Sequence, residues 1–351
     1  MSTVAANLGS HPDTLAGDFL PELSNDRVTI IFGLPRSGTT WLAKMFDSHP
    51  AVLYRHEPDS ILRPTSLPEW PGTQNSPELL SATRAYLQAA ATLKKKKSAG
   101  SKPVFPKNYL SQSAYLKRAG AIYADMFAEK VLRLKPSALP DIPDFISDQQ
   151  WSDIRLVMKS ISSVNRMGLF LRAVPGSKSF FILRHPLGQV ASMLRGIALR
   201  KFEGKIDLRW ILRSPVASQF SLGRDAFDRM DTIESLAWQW TILTTQAAQD
   251  VAGISDVSLV RHEDLLSSPH LGFMNLFARA GLAWNQQTNE FLDRTINPDC
   301  ARYRRGYYGL TRNPETEIGK WRHELTAEQQ KKVWKIASMS AMARYWPEGI
   351  S

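Results

Sequence analysis

The stretch Arg27-Val-Thr-Ile-Ile-Phe-Gly33-Leu-Pro35-Arg36-Ser37-Gly38-Thr39-Thr40-Trp41 decides the fold. Its opening run is apolar and β-branched, bounded by Gly33 and Pro35, and over residues 39–48 Leu42, Met45 and Phe46 recur at helical spacing. A strand, a tight turn and a helix in succession set helix N–H groups and the positive end of the helix dipole at a strand end, which is where anions bind. The spacing Gly33-x-x-x-x-Gly38 copies a Walker A loop, but the Lys expected after the second glycine is Thr39, and the basic residue sits earlier, at Arg36. A nucleoside triphosphate kinase needs that Lys and a Mg²⁺ partner to manage a γ-phosphate. Arg36 with the hydroxyls of Ser37, Thr39 and Thr40 suits a terminal group that carries less charge and needs no metal. The plainer alternative is a tight Gly/Pro turn with no ligand.

Working outward, runs 154–158, 179–183 and 257–260 have the continuous apolar character of parallel strands buried on both faces. Helical patterns at 163–173, 187–199 and 232–251 lie between and after them. The alternation predicts an α/β fold: a P-loop-like, doubly wound parallel sheet flanked by helices, in one domain. Residues 1–26 read as a flexible leader and 27–351 as the domain. Residues 60–150 break the alternation with prolines at 58–71, four lysines at 94–97 and Pro136, Pro140 and Pro143, and read as a helical insertion that sets acceptor specificity. The lysine run reads as a solvated helix end or loop, or more sharply as a gatherer of anionic substrate. Thr326-x-x-Gln329 resembles a capping box that opens a final helix to about residue 345.

With 351 residues, 43% hydrophobic and 22% charged, the chain is neither disordered nor fibrous. A net charge of +11 favours anionic partners: nucleotides, nucleic acid, acidic lipid or acidic substrates. The single cysteine, Cys300, excludes an intramolecular disulfide framework and a Cys-rich zinc site. No signal-peptide pattern or apolar run near the ~20 residues of a transmembrane helix is visible, so a soluble, cytoplasmic chain without a transmembrane segment is expected.

A second constellation is Phe181-Ile-Leu-Arg184-His185-Pro-Leu-Gly-Gln-Val-Ala-Ser192-Met-Leu-Arg195. Arg184 stands at the carboxyl end of a predicted strand, where open α/β sheets bind ligands, and Ser192 lies in the first turns of the next helix. The two could close on one phosphate, or Arg184 could form a structural salt bridge. His185 beside it reads as structural, and Trp238 and Trp240 as core.

These two motifs resemble those of the sulfotransferases that use 3′-phosphoadenosine 5′-phosphosulfate (PAPS). The resemblance implies that Pro35, Arg36, Ser37, Gly38, Thr39, Thr40 and Trp41 bind the 5′-phosphosulfate, and Arg184 and Ser192 the 3′-phosphate. Arg261-His-Glu-Asp-Leu265 is similar to the family's R-Y-E-D-L segment and Gly319-Lys320-Trp-Arg322 to its G-K-W-R segment. Likeness extends over 28–346, with nothing recognised at 60–150. Members acting on phenols and steroids carry a catalytic His where this chain has Met158-Lys159-Ser-Ile-Ser162. The Arg-bearing loop instead resembles the carbohydrate-acting and bacterial branches, in which a Glu shortly after the first helix is the proposed base. Glu57, in Tyr54-Arg-His56-Glu57-Pro58, occupies that place, and His56 is the competing base.

Lys159 would add a second cation beside Arg36, or simply end its strand. In the basic, Tyr-interleaved stretch Arg302-Tyr-Arg304-Arg305-Gly-Tyr-Tyr308, the family's pattern implies that Arg304 and Arg305, with Lys320, contact the 3′-phosphate or adenine; RNA binding uses similar stretches. The implied reaction moves a sulfuryl group from PAPS to a hydroxyl or amine of unknown class and leaves adenosine 3′,5′-bisphosphate, with no metal and no nucleic-acid partner. The rival readings are a P-loop kinase or NTPase and a non-catalytic nucleotide- or RNA-binding protein.

Overall fold

In the computed structural model, which describes residues 19–20, 23–134, 139–146, 148–201, 207–297, 309–310 and 313–350, the run after Arg27 forms β1 (Val28–Gly33), buried along its whole length. With β2 (Val52–His56), β3 (Arg155–Ser160), β4 (Lys178–Leu183) and β5 (Val257–Arg261) it makes one parallel sheet in the order β2-β3-β1-β4-β5. Alternate side chains of a strand enter opposite faces, so Val28, Ile30 and Phe32 join one core and Ile31 the other.

Helices cover both faces, and the sheet is doubly wound. On the Ile31 side lie α1 (Thr39–Ser48), Pro269–Arg279 and Gln286–Ile296, where the Phe46 ring stacks between Phe180 at 5.4 Å and Phe277 at 4.6 Å. On the Ile30 side lie α2 (Pro77–Ala91), Met167–Ala173 and Thr232–Asp250, with Trp240 fully buried. Pro186–Ala198 and Ala327–Ala337 complete a third apolar cluster around Leu187, Trp238 and Val333. No helix among the described residues is long and apolar enough to cross a membrane.

The structure differs from the sequence reading in three places. β2 was not foreseen, because Arg55 interrupts its apolar pattern; the guanidinium is buried nonetheless, donating to the Asp144 carboxylate at 2.5 and 3.3 Å and to the Ala91 carbonyl at 2.7 Å. The stretch 1–26 is not wholly a leader, since Phe19 and Leu23 are buried in the main core. Within the insertion, Leu87, Ala90 and Ala91 of α2 belong to that same core. The final helix stops at Ala337, and the chain resumes as a 3-10 turn, Ala341–Tyr345, whose start is capped by the Ser340 hydroxyl.

Phe19→Ala is expected to lower the unfolding free energy by about 3–5 kcal/mol, the cost of truncating a buried aromatic. Denaturant titration measures this, and a loss within experimental scatter would place Phe19 outside the core.

Candidate functional site

Because all strands run parallel, Gly33, His56, Ser160, Leu183 and Arg261 close their strands on one edge of the sheet. The loop after β1 turns sharply there. Ser37 donates to the Leu34 carbonyl from its N–H at 3.1 Å and from its hydroxyl at 2.8 Å. Arg36 and Gly38 both take left-handed backbone, at φ +72° and +98°. A side chain at Gly38 would bring Cβ within 2.3 Å of the His262 ring, so only glycine fits. Gly38 caps α1 without a side chain, and no acidic residue stands in the first turn, so its N-terminal N–H groups and dipole keep their full pull on an anion.

The two motifs meet. Arg36 Nε donates to the Ser192 hydroxyl at 3.1 Å, and Arg184 Nη1 donates to the Arg36 carbonyl at 3.3 Å. Arg184 is buried, with its Nη2 3.9 Å from the Glu317 carboxylate, which lies 3.4 Å from Lys320 Nζ. The Ser192 hydroxyl also accepts from Arg195 at 3.5 Å, and Arg195 pairs with Glu324. Main-chain contacts hold this side rigid: Trp240 Nε1 donates to the Arg184 carbonyl at 3.2 Å, and the His185 N–H donates to Glu263 at 3.0 Å. Glu263 accepts a further bond from Trp346 Nε1 at 3.3 Å, and burial raises its carboxyl above the usual range.

His185 is built into that support. Its ring stacks on Trp321 at 4.8 Å, Nδ1 accepts from the Leu187 N–H at 3.2 Å, and Nε2 lies 3.0 Å from the Gly349 carbonyl. An accepting Nδ1 leaves the proton on Nε2 to reach Gly349, which is the neutral tautomer. Burial, reinforced by Arg322, Arg184 and Arg261 against the opposing Gly349 bond, pushes its pKa down to about 4.

On the other side of the loop, Lys159 Nζ donates to Glu57 Oε1 at 2.6 Å and to the Thr40 hydroxyl at 3.0 Å, while the Glu57 N–H donates to the Lys159 carbonyl at 3.0 Å. The clasp therefore joins the ends of β2 and β3 to the start of α1. Burial holds the Lys159 ammonium below its ordinary value, opposed by Glu57. Glu57 too has left-handed backbone, at φ +45°, a costly state for a residue with a side chain. His56 shares a 2.8 Å hydrogen bond between Nδ1 and the Tyr54 hydroxyl, and its Nε2 lies 3.8 Å from Glu57 Oε1. Burial and then Lys159, Lys44 and Lys97 push His56 well below 6.5, so it is neutral near pH 7. Behind Glu57, buried Asp59 accepts from the hydroxyls of Ser160 at 2.5 Å and Ser163 at 2.9 Å.

The structure thus brings together Arg36, Thr40, Arg184, Ser192, Glu57, His56, Lys159 and Lys320. The Trp41 side chain is fully buried, donating to Thr295 at 3.1 Å and meeting the Phe273 ring edge-on at 4.9 Å, so at this position the first turn of α1 offers the site its backbone and not its indole. The Ser37 hydroxyl is likewise committed to the turn, and the Thr39 side chain is buried. Arg304 and Arg305 lie outside the described residues. Sequence reasoning missed Glu317, Glu263 and Asp59. Their one signal is position: Glu263 inside the 261–265 motif, Glu317 just before Gly319-Lys320, and Asp59 two residues after Glu57.

A parallel α/β sheet whose helix-start loop is bonded to a strand-end arginine is a P-loop-like architecture. The model of the sulfotransferase family matches residues 29–286, and the chain belongs to that family. Solved structures of similar fold include the sulfotransferase domain of the Synechococcus PCC 7002 olefin synthase, at 17% identity over 89% of this chain and 93% of that one, with a TM-score of 0.42. The sulfotransferase domain from the curacin biosynthetic pathway gives 15%, 89% and 96%, with a TM-score of 0.43. Sulfotransferase STF9 from Mycobacterium avium gives 14%, 96% and 79%, also with a TM-score of 0.43. No curated protein matches the sequence.

The His185 geometry has a consequence for stability against pH. An unfolded His titrates near 6.5 and the folded one at about 4, so between these values the unfolded chain binds more protons. The stabilisation is complete above about pH 6.5 and is lost as pH falls toward 4, by about 3 kcal/mol in total. In His185→Gln this part of the pH dependence disappears; parallel curves for the two proteins between pH 4 and 6.5 in denaturant titrations would contradict the assignment.

Proposed function

We propose that this sulfotransferase takes its sulfuryl group from PAPS and delivers it to a hydroxyl or amine, releasing adenosine 3′,5′-bisphosphate. One observation carries the reading: the Arg36–Ser192 bond of 3.1 Å and the Arg184–Arg36 bond of 3.3 Å set a helix-start anion loop beside an Arg/Ser pair. A nucleotide with anionic groups at both its 5′ and 3′ positions fits such a double site. Lys320, tied to Arg184 through Glu317, belongs to the proposed 3′ side, and the family resemblance adds Arg304 and Arg305.

In this reading Arg36 and the N–H groups at the start of α1 stabilise the charge that develops on the equatorial sulfuryl oxygens and on the bridging oxygen. Lys159, held between Thr40 and Glu57, supplies a second cation. Glu57 is the general base. Its Oε1 is fixed by Lys159, and Oε2 has no hydrogen-bond partner among the described residues. The acceptor oxygen or nitrogen forms a bond to sulfur as the sulfur–oxygen bond to the 5′-phosphate breaks with its electron pair, and the acceptor's proton passes to Glu57. His56 is the lesser candidate, since the Tyr54 hydroxyl already engages its Nδ1.

Adenosine 3′,5′-bisphosphate should raise Tm without Mg²⁺, and ATP should not match it. Arg184→Ala should weaken that nucleotide by roughly 1.5–3 kcal/mol, with Ser192→Ala below it, while adenosine 5′-phosphate is little affected. Equal losses for the two nucleotides would show that neither residue reads the 3′ group.

Glu57→Gln keeps the shape and removes the proton acceptor, so kcat should fall on the order of 10²–10⁴ with nucleotide affinity almost unchanged. Arg36→Ala should damage turnover and donor binding together. If Glu57→Gln keeps near-normal kcat while His56→Asn loses it, the base is His56.

A further inference from the structure

We propose that the outer face of the insertion's long helix docks this protein on an anionic lipid surface. The helix is α3 (Gln112–Lys130). Leu116, Tyr123 and Phe127 lie seven and four positions apart, with Gly120 and Ala124 between them, and the line continues through Val131 to Leu134 beyond the helix end. These spacings put the residues on one side of a 3.6-residue helix, and no charged position interrupts the stripe. Leu116, Tyr123, Phe127, Val131, Leu132 and Leu134 are 45–60% exposed. The opposite side already has its partners: Ile122 packs with Ala99 and Ile142, and Arg118 pairs with Asp144 at 2.9 Å. The helix therefore carries a second apolar face that its own fold does not need. Contiguous exposed apolar surface of this kind marks an interaction site.

The charge around the stripe selects the occupant. Lys102 Nζ stands 4.9 Å from the centre of the Tyr123 ring, and Lys117, Lys130 and Arg133 flank the line. Glu129, the acidic residue exposed on this helix, is already paired with Lys96. A second copy of the chain docked face to face would set these cations against one another with no carboxylate to balance them. A layer with apolar depth and negative headgroups matches both features, because an in-plane helix buries its apolar stripe while flanking Lys and Arg reach the phosphates. At 1.5 Å per residue the helix is about 28 Å long, enough to lie flat as a peripheral anchor. The placement bears on chemistry: the short helix Lys96–Ala99 lies between α3 and β2, and β2 ends at His56 beside Glu57. The docking itself does not depend on the donor assignment.

The test is co-sedimentation of the full chain with phosphatidylcholine vesicles with and without phosphatidylglycerol, alongside sedimentation velocity of the free protein. Binding should require phosphatidylglycerol and weaken with salt. The double variant Leu116→Ser/Phe127→Ser should weaken it by roughly tenfold or more without lowering Tm, as should Lys102→Gln/Lys130→Gln, while Leu271→Ser, exposed elsewhere, should leave it unchanged. Absence of binding to phosphatidylglycerol vesicles overturns the proposal, as does binding that the stripe variants leave intact. A dimer that Leu116→Ser/Phe127→Ser converts to monomer would make the face a self-interface and would also overturn it.

Discussion

Parallel pairing on both sides of β1 is the constraint from which the site follows. Ile31 is in register with Lys159 on one neighbour and Phe180 on the other, and His56 is in register with Lys159 in turn. That single alignment brings the lysine, the carboxylate after β2 and the start of α1 to one point. It also explains Gly33. A Cβ there would lie 2.6 Å from the Ser37 hydroxyl and 2.7 Å from the Ile182 side chain, so the loop can fold back over β4 only where the side chain is missing.

The site's cations are held unequally. The Lys159–Glu57 pair at 2.6 Å sits almost out of water, where breaking it would leave an uncompensated charge. The Arg184–Glu317 approach is longer, at 3.9 Å. The two sides of the loop thus differ: on one the carboxylate is held tightly by its cation, on the other it stands off.

Most of the sheet was legible because strands buried on both faces carry apolar runs, as β1, β3 and β4 do at 30–32, 156–158 and 180–183. β2 escaped because its Arg55 finds a counter-ion 89 residues away, a pairing that local pattern does not carry. Arg36, Arg184 and Ser192 were legible for a related reason: strand ends and helix starts are positions that chemistry can use, and spacing locates them. Glu263 and Glu317 were not, since only the folded topology decides which cation or N–H an acid meets. Trp41 follows the loop directly, but the helix turns its side chain inward, while Thr40 one position earlier meets Lys159.

The hydrogen bond between His185 and Gly349 spans 164 residues, and the carboxylate that secures the His185 N–H is itself bonded to Trp346. On a ribosome, the loop after β1 emerges early, but β1 has no strand to pair with until β3 and β4 follow. The wall that supports Arg184 cannot close until the chain around residues 346–349 has left the exit tunnel. The loop and the wall behind Arg184 therefore take up their final places only once the chain through residue 349 is free of the tunnel.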